Sequence, residues 1–323
     1  MDAAPSTATP AAVRCEGVSY SYKERRALDG VTFSVAPGEI FGVLGPNGSG
    51  KSTLFRLLST LVPLGEGAVE VAGCAYPAQV AAARARLGVV FQSPSLDKKL
   101  RVEENLAAHG NLYGLRGAAL EARIAELLER FSLTHRRRDL VETLSGGLQR
   151  RVEVAKSLVP RPSVLLLDEP STGLDPSARR ELWDYLRGLR RSESLTILMT
   201  THFLDEAEWC DRLLLLDEGK TVALDTPDAL KRQVGGAVLT IQSPRWSELA
   251  AEIERELGVR PTVRDHLLDL AVPDGQEAER DLLNRLLRRF RADIGGLTLS
   301  PPSLENVFVR LTGRAFAKGG ADE

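Results

Sequence analysis

The stretch Glu39-Ile-Phe-Gly-Val-Leu-Gly-Pro-Asn-Gly-Ser-Gly-Lys-Ser52 joins an apolar run to a glycine-rich turn and then to a helical segment. Glu39–Leu44 reads as a strand that runs straight into the turn, and Lys51–Leu61 as the helix that leaves it. Gly45, Gly50, Lys51 and Ser52 fit the phosphate-loop spacing at every fixed position. In such a loop backbone N–H groups wrap phosphates, the lysine reaches the outer ones, and the serine hydroxyl suits Mg²⁺. A glycine-rich turn with no ligand explains the loop poorly, because strand, loop and helix follow in the order that phosphate binding needs.

Working outward, Ser163-Val-Leu-Leu-Leu-Asp-Glu169 is an apolar strand ending in two carboxylates. A strand buried on both faces delivers its terminal acids to the carboxyl edge of a parallel sheet, where ligands sit. Asp168 then suits the shell of a Mg²⁺ ion, and Glu169 the orientation or deprotonation of an attacking water. His202 directly follows an expected strand, Leu195–Thr200, and falls beside the same edge. His109, His135 and His266 read as surface or packed histidines. Leu144-Ser-Gly-Gly-Leu-Gln149 leads into a helix expected from about Leu148 to Val159. A helix start with free N–H groups attracts anions, although an isolated Ser-Gly-Gly is explained as well by a serine N-cap.

The chain has 323 residues, enough for two domains, and 43% hydrophobic with 27% charged residues is ordinary for a globular protein. A formal net charge of −2 leaves no electrostatic footprint for nucleic acid. Basic groups such as Arg136-Arg137-Arg138 stand among acidic and polar residues and read as solvated faces. No apolar run approaches the ~18 residues of a membrane span. Residues 1–12 lack the basic and apolar regions of a signal peptide and read as a disordered leader. Cys15, Cys74 and Cys210 show no metal-ligand spacing and read as reduced, buried thiols.

Residues 13–234 alternate short β-rich runs with amphipathic helices, an α/β layered domain. Further strands are expected near Ala68–Ala72 and Leu87–Phe91. From Arg101 to Val159 the strand signal vanishes, so an all-helical insert is expected, within a helical subdomain of about 93–160. Its clearest helix is Ala119–Phe131. Thr226-Pro227-Asp228 starts a short helix as an N-cap followed by proline. Residues 235–323 then read as strand (Ala237–Gln242), helix (Arg245–Leu257), two strands including Leu267–Ala271, helix (Glu277–Phe290) and strand (Leu297–Ser300). This βαββαβ order predicts a small ferredoxin-like α+β domain.

Gly45–Ser52, Leu144–Gln149 and Leu165–Glu169, in this order, resemble the ATP-binding cassette of ABC transporters over about residues 13–234. The resemblance implies a P-loop NTPase fold: a RecA-like core, an antiparallel β subdomain and a helical subdomain. It implies that Tyr22 stacks on adenine, with Tyr20 a nearby competitor, and that Gln92 senses Mg²⁺ and the γ-phosphate. It places ATP contacts at Gly45, Pro46, Asn47, Gly48, Ser49, Gly50, Lys51, Ser52 and Thr53. From across a dimer interface it adds Ser145, Gly146, Gly147, Gln149 and Asp175. Glu169, His202 and Gln92 take catalytic roles, and Ser52, Gln92 and Asp168 hold Mg²⁺. Leu148 departs from the more polar residue of many relatives.

The closing stretch Pro301-Pro-Ser-Leu-Glu-Asn-Val-Phe-Val-Arg-Leu-Thr-Gly313 resembles the tail of ATPase subunits in drug-resistance-type ABC-2 exporters, the family named for daunorubicin resistance. Leu304, Val307, Phe308 and Leu311 form a helical apolar stripe that packs either on its own domain or on a partner. The resemblance implies an ATPase that dimerises and drives export of a drug, lipid or other hydrophobic molecule. The route would be a separate permease, with the cassette at the cytoplasmic face of the cell membrane and no nucleic-acid partner. An importer subunit would keep the cassette but carry another C-terminal domain. A DNA-acting relative would need long coiled coils between Lys51 and Ser145, and a ribosome-associated one a second cassette.

Overall fold

The computed structural model describes residues 11–264, 266–272, 275–314 and 316, with backbone alone at 191–193 and 276. The leader expected at 1–12 therefore lies, up to residue 10, outside the described residues. The chain begins with β1 (Val13–Tyr22), β2 (Arg25–Val35), β3 (Ile40–Leu44) and α1 (Lys51–Leu58). It continues through β4 (Glu66–Val71), β5 (Cys74–Ala75), α2 (Val80–Arg86) and β6 (Leu87–Val90). Helices α3 (Val102–Leu112), α4 (Gly117–Arg130) and α5 (Gly146–Leu158) make up the expected insert. Then come β7 (Val164–Asp168), α6 (Pro176–Glu193), β8 (Thr196–Thr201), α7 (Leu204–Ala207), β9 (Arg212–Asp217), β10 (Lys220–Asp225) and α8 (Pro227–Arg232). The tail adds β11 (Ala237–Gln242), α9 (Trp246–Leu257), β12 (Thr262–Arg264), β13 (Leu267–Val272), α10 (Gln276–Phe290), β14 (Gly296–Ser300) and α11 (Leu304–Thr312).

Three sheets organise these elements. The central sheet has the order β10-β9-β3-β8-β7-β6, parallel except for β10 at one edge. Its parallel strands are buried on both faces, as a covered parallel sheet requires. In β7, Leu165 and Leu167 face one core while Val164 and Leu166 face the other, and Ile40 and Phe41 divide in the same way. One core is closed by α1 and the antiparallel sheet β2-β1-β4-β5. The other is closed by the helical insert, α6, α8 and α11. All three cysteines are buried and free.

The tail has the antiparallel order β12-β13-β11-β14, the ferredoxin-like arrangement that its βαββαβ sequence predicts. Helices α9 and α10 cover one face of this sheet through Leu249, Ile253, Leu282 and Leu286. The stripe on α11 packs on its own chain: Leu304, Val307 and Phe308 are buried with Leu230, Val234 and Val238. Leu311 departs from the expectation, at 43% exposed, while Val309 is buried beside Val234 and Val238. The helix sits in a crevice between α8 and the sheet, so two of its flanks are covered and the simple stripe rotates. Two helix ends also differ. α1 stops at Leu58, because Thr60 takes a left-handed conformation (φ 64°) ahead of Pro63. α5 starts at Gly146, two residues early, because Ser145 caps it.

Candidate nucleotide-binding site

β3 ends against the glycine loop, and α1 begins from it at Lys51. Gly45 is demanded by its surroundings: a Cβ there would lie 2.2 Å from the Leu216 carbonyl oxygen. Gly50 has φ 108°, a conformation that side chains resist, and its Cβ would meet the Ala27 carbonyl oxygen at 2.7 Å. The Lys51 ammonium donates to the carbonyls of Gly45 (2.7 Å) and Pro46 (3.0 Å) and lies 3.6 Å from Glu169 Oε1. Burial pulls its pKa below the ordinary value, against the opposing pull of Glu169 and Asp168.

A cavity of about 760 Å³ opens over the loop, a size suited to a nucleotide. Tyr22, Gly48, Lys51, Ser52, Gln92 and Glu169 line it, together with Asn47, Gly50 and Thr53 from the loop and Arg25 from β2. Gly45, Pro46 and Ser49 shape the loop from behind without lining the cavity. Tyr22 is 39% exposed, whereas Tyr20 is packed against the core with the two rings edge to face. The structure thus puts Tyr22, of the two, at the site.

β7 and β8 deliver the acidic edge. Thr200 Oγ1, fully buried, donates to Asp168 Oδ1 (2.6 Å) and accepts from the Glu169 amide (3.0 Å). It holds the two carboxylate residues in a fixed relation and is a site residue that sequence reasoning passes over. Glu169 stands at φ 43°, a strain of about 1–3 kcal/mol for a residue other than glycine. Its Oε2 accepts from Gln92 Nε2 (3.2 Å) and Thr172 Oγ1 (3.3 Å) and lies 3.1 Å from His202 Nδ1. The imidazole approaches off the line of a hydrogen bond. Burial pushes the Glu169 carboxyl up, but His202, Lys51 and Thr172 together hold it below the usual carboxylate range. Burial raises Asp168, against the Thr200 hydrogen bond.

Near His202 lies a buried polar group in which Arg179 Nε stands 3.7 Å from Glu206 Oε1. Ser171 Oγ, Arg179 Nε, His202 Nδ1 and Glu206 Oε1 are all buried without a partner in hydrogen-bond geometry. Glu206 is fully buried, accepts from Thr201 Oγ1 (2.6 Å), and has its pKa raised by that burial. The donor set suits Mg²⁺: a cation that keeps its waters and takes phosphate oxygens needs only a carboxylate and a hydroxyl from protein. Asp168 and the exposed Ser52 offer these, and no group of three or more His, Cys, Asp or Glu able to cage a metal occurs among the described residues.

The signature lies elsewhere. Ser145 and Gly146 are exposed at the start of α5, where Ser145 Oγ accepts from the Leu148 amide (3.4 Å). A Cβ on Gly146 would meet nothing within 4 Å, and neither Ser145–Gly147, Asp175 nor His202 lines the cavity. Asp175 caps α6, accepting from Ser177 (2.9 Å) and Ala178 (3.0 Å). Gln149, expected at the nucleotide across the dimer interface, here donates its side-chain amide to the carbonyls of Val141 (3.2 Å) and Leu144 (2.9 Å), pinning the loop ahead of α5. One helical turn past the signature, Arg150 is a further residue that motif reading overlooks; it reaches the carbonyls of Pro170 and Phe91, next to Glu169 and Gln92. A groove of about 390 Å³ separates the core from the helical insert, lined by Leu61, Phe91, Ser95, His109, Tyr113 and Lys156.

Residues 28–172 match the family model described as ABC transporter. The chain is 38% identical over 324 residues to the Nod factor export ATP-binding protein I of Rhizobium johnstonii, covering 98% of this chain and 100% of that protein. It is 40% identical over 327 residues to the daunorubicin resistance ATP-binding protein DrrA2 of Streptomyces coeruleorubidus, covering 97% and 98%. Among solved structures it resembles the dimeric post-hydrolysis state of the ATP-binding cassette MJ0796 bound to ADP and Pi. There the TM-score is 0.59 and the identity 27%, over 66% of this chain and 98% of that one. A phosphate-loop cavity, a paired acidic edge and relatives aligned from end to end place the chain in the ABC transporter family, as an ATP-binding ATPase subunit.

Proposed function

We propose that two copies of the chain sandwich two ATP molecules, each held by one phosphate loop and by the Ser145–Gly147 signature of the opposing copy. The observation that carries this reading is the division of the site. The cavity gathers Tyr22, Lys51, Ser52, Gln92 and Glu169, while the signature stands apart, exposed, with a glycine that its own chain does not require. Asp175, at the head of α6, would face the same interface. Tyr22 offers an aromatic face to the base, and Lys51 and the loop amides bind the β- and γ-phosphates. Glu169, ionised at neutral pH, accepts the proton of the attacking water. His202 and Lys51 stabilise charge that develops on the γ-phosphate. A divalent cation held by Ser52 and Asp168, with Gln92 nearby, would neutralise phosphate charge.

Relatives named for Nod factor export and daunorubicin resistance span the chain with its tail included, which supports export over import. Among the described residues no helix is long and apolar enough to cross a membrane, so translocation calls for a separate permease, of ABC-2 type. Its cytoplasmic helices would dock in the groove beside Gln92–Leu100, at the cytoplasmic face of the membrane. Glu169→Gln tests the core of this reading. It should bind ATP, lose about a hundredfold or more of its turnover, and accumulate as ATP-dependent dimers on size exclusion. Turnover at the wild-type rate would overturn it.

A further inference from the structure

Arg150 carries a dense set of bonds for a residue that lines neither the nucleotide cavity nor the groove described above. It lies on α5, one and a half turns past Ser145, and is 6% exposed. Nε donates to the Pro170 carbonyl (2.7 Å) and Nη2 to the Glu169 carbonyl (3.3 Å). Nη1 donates to the Phe91 carbonyl (2.8 Å) and to Glu153 Oε2 (2.8 Å). Glu153, buried as well, also accepts from the Ser95 amide (2.5 Å). One planar guanidinium thus grips the peptide just ahead of Gln92 and the two peptides at Glu169, while its ion-pair partner grips the far side of the Gln92 loop. Only arginine has enough donors in a rigid fork for this.

We infer that Arg150 is a positioning residue that ties the pose of Glu169 and Gln92 in its own chain to the helix whose other end meets the partner's nucleotide. The inference rests on the paired reading above. The left-handed backbone at Glu169 is fixed on its amide side by Thr200 and on its carbonyl side by Arg150. The amide-side anchor belongs to β8 of the central sheet. The carbonyl-side anchor belongs to α5, whose first turn is exposed. A helix is stiff over so short a distance, about 7–8 Å. A phosphate seated at Ser145 and Gly146 therefore bears, through α5, on the carbonyls that orient the hydrolytic glutamate. Burying an ion pair is seldom the cheapest way to stabilise a core, and here the pair spans two loops rather than filling a gap.

The test joins two full-length chains in tandem by a flexible linker, so that pairing is fixed. The working chain carries either Arg150 or Arg150→Lys. Its partner is Glu169→Gln, which holds ATP without hydrolysing it, or Lys51→Ala, which does not hold it. With Arg150 intact, turnover should be about tenfold or more faster opposite the loaded partner than opposite the empty one. With Arg150→Lys that ratio should fall below about two, while KM of the working site stays within about twofold. A ratio unchanged by the substitution, or a KM that rises in step with the loss, would show a merely structural role and overturn the inference. If Arg150→Lys fails to fold, the neutral pair Arg150→Gln with Glu153→Gln serves in its place. Failure of single Glu169→Gln chains to form ATP-dependent dimers would instead sink the paired reading itself.

Discussion

Helices α1 and α5 both start from glycine-bearing turns, and the two starts are built on opposite terms. At α1 every constraint is internal. Gly45 is pressed against the Leu216 carbonyl, Gly50 against the Ala27 carbonyl, and Lys51, 4% exposed, is bound into its own loop. At α5 the capping serine is exposed, Gly146 faces open space, and only Gly147 touches another element, through Ala178. The first turn is shaped by the fold around it. The second has a form that the fold does not explain, which is how a surface looks when its partner is another molecule. Substitutions separate these cases, because a residue fixed from within costs stability and binding, whereas one fixed from without costs only the joint activity.

The largest effect is expected for Gly45→Ala. The new methyl would sit 2.2 Å from a backbone oxygen and 2.5 Å from Ser49 Oγ, and backbone cannot yield as a side chain can. Stability should drop by about 3 kcal/mol or more, with loss of ATP binding in a fluorescent-nucleotide titration. Binding close to wild type would break the internal half of the comparison. Gly146→Val is the counterpart. Denaturation midpoints should stay within about 0.5 kcal/mol of wild type and ATP binding by the single chain should persist. Turnover should fall about a hundredfold or more. Turnover unaffected by a valine here would remove the external half.

What could be read from residues alone follows the same division. The phosphate loop and the strand Val164–Asp168 are legible because their signals are local: a fixed spacing in one case, an unbroken apolar run in the other. The ferredoxin-like tail is legible as an element order, and its strand pairing follows from that order. α6 is the largest element that this reading passes over. Its arginines and glutamates mask the apolar face of Leu182, Trp183, Leu186 and Leu189. The start of α5 shifts because glycine argues against helix, whereas the Ser145 cap overrides it. Thr200, Arg150 and Glu206 carry no motif. Each matters through a partner that only folding supplies, as Thr200 does at Asp168 and Arg150 at Phe91. For Gln149 the motif gives its position in the series but not the direction its amide turns, toward the carbonyls of Val141 and Leu144.

Gly147 is the intermediate case, fixed from within by one contact. A Cβ there would approach the Ala178 Cβ to 2.9 Å, so Gly147→Ala should cost about 1 kcal/mol, net of the helix propensity it gains. Combined with Ala178→Gly the clash is relieved, and a double-mutant cycle should show coupling of about 1 kcal/mol. Additive effects would mean that α5 and α6 move apart freely, and that the signature end is looser than the structure implies.

The smallest effect is expected at Asp175, and it decides to which class that residue belongs. Its carboxylate is engaged within the chain, and the amides of Ala178 and Ser177 hold its pKa below the usual carboxylate range. A depressed carboxyl pKa contributes stability at pH values above the unfolded value of about 3.9, and that contribution is lost as pH falls through the folded value. Asn caps a helix about as well as Asp, so Asp175→Asn should leave stability at pH 7 unchanged and flatten the acid side of the profile below about pH 4. Chemical denaturation across that range measures it. The same variant assayed for turnover supplies the second reading. If the cap is all that Asp175 provides, activity at pH 7 should be unaltered, as for a residue fixed from within. If its charge also meets the opposing copy, turnover should drop while the denaturation curve at pH 7 stays where it was, and Asp175 joins Gly146 on the outward face.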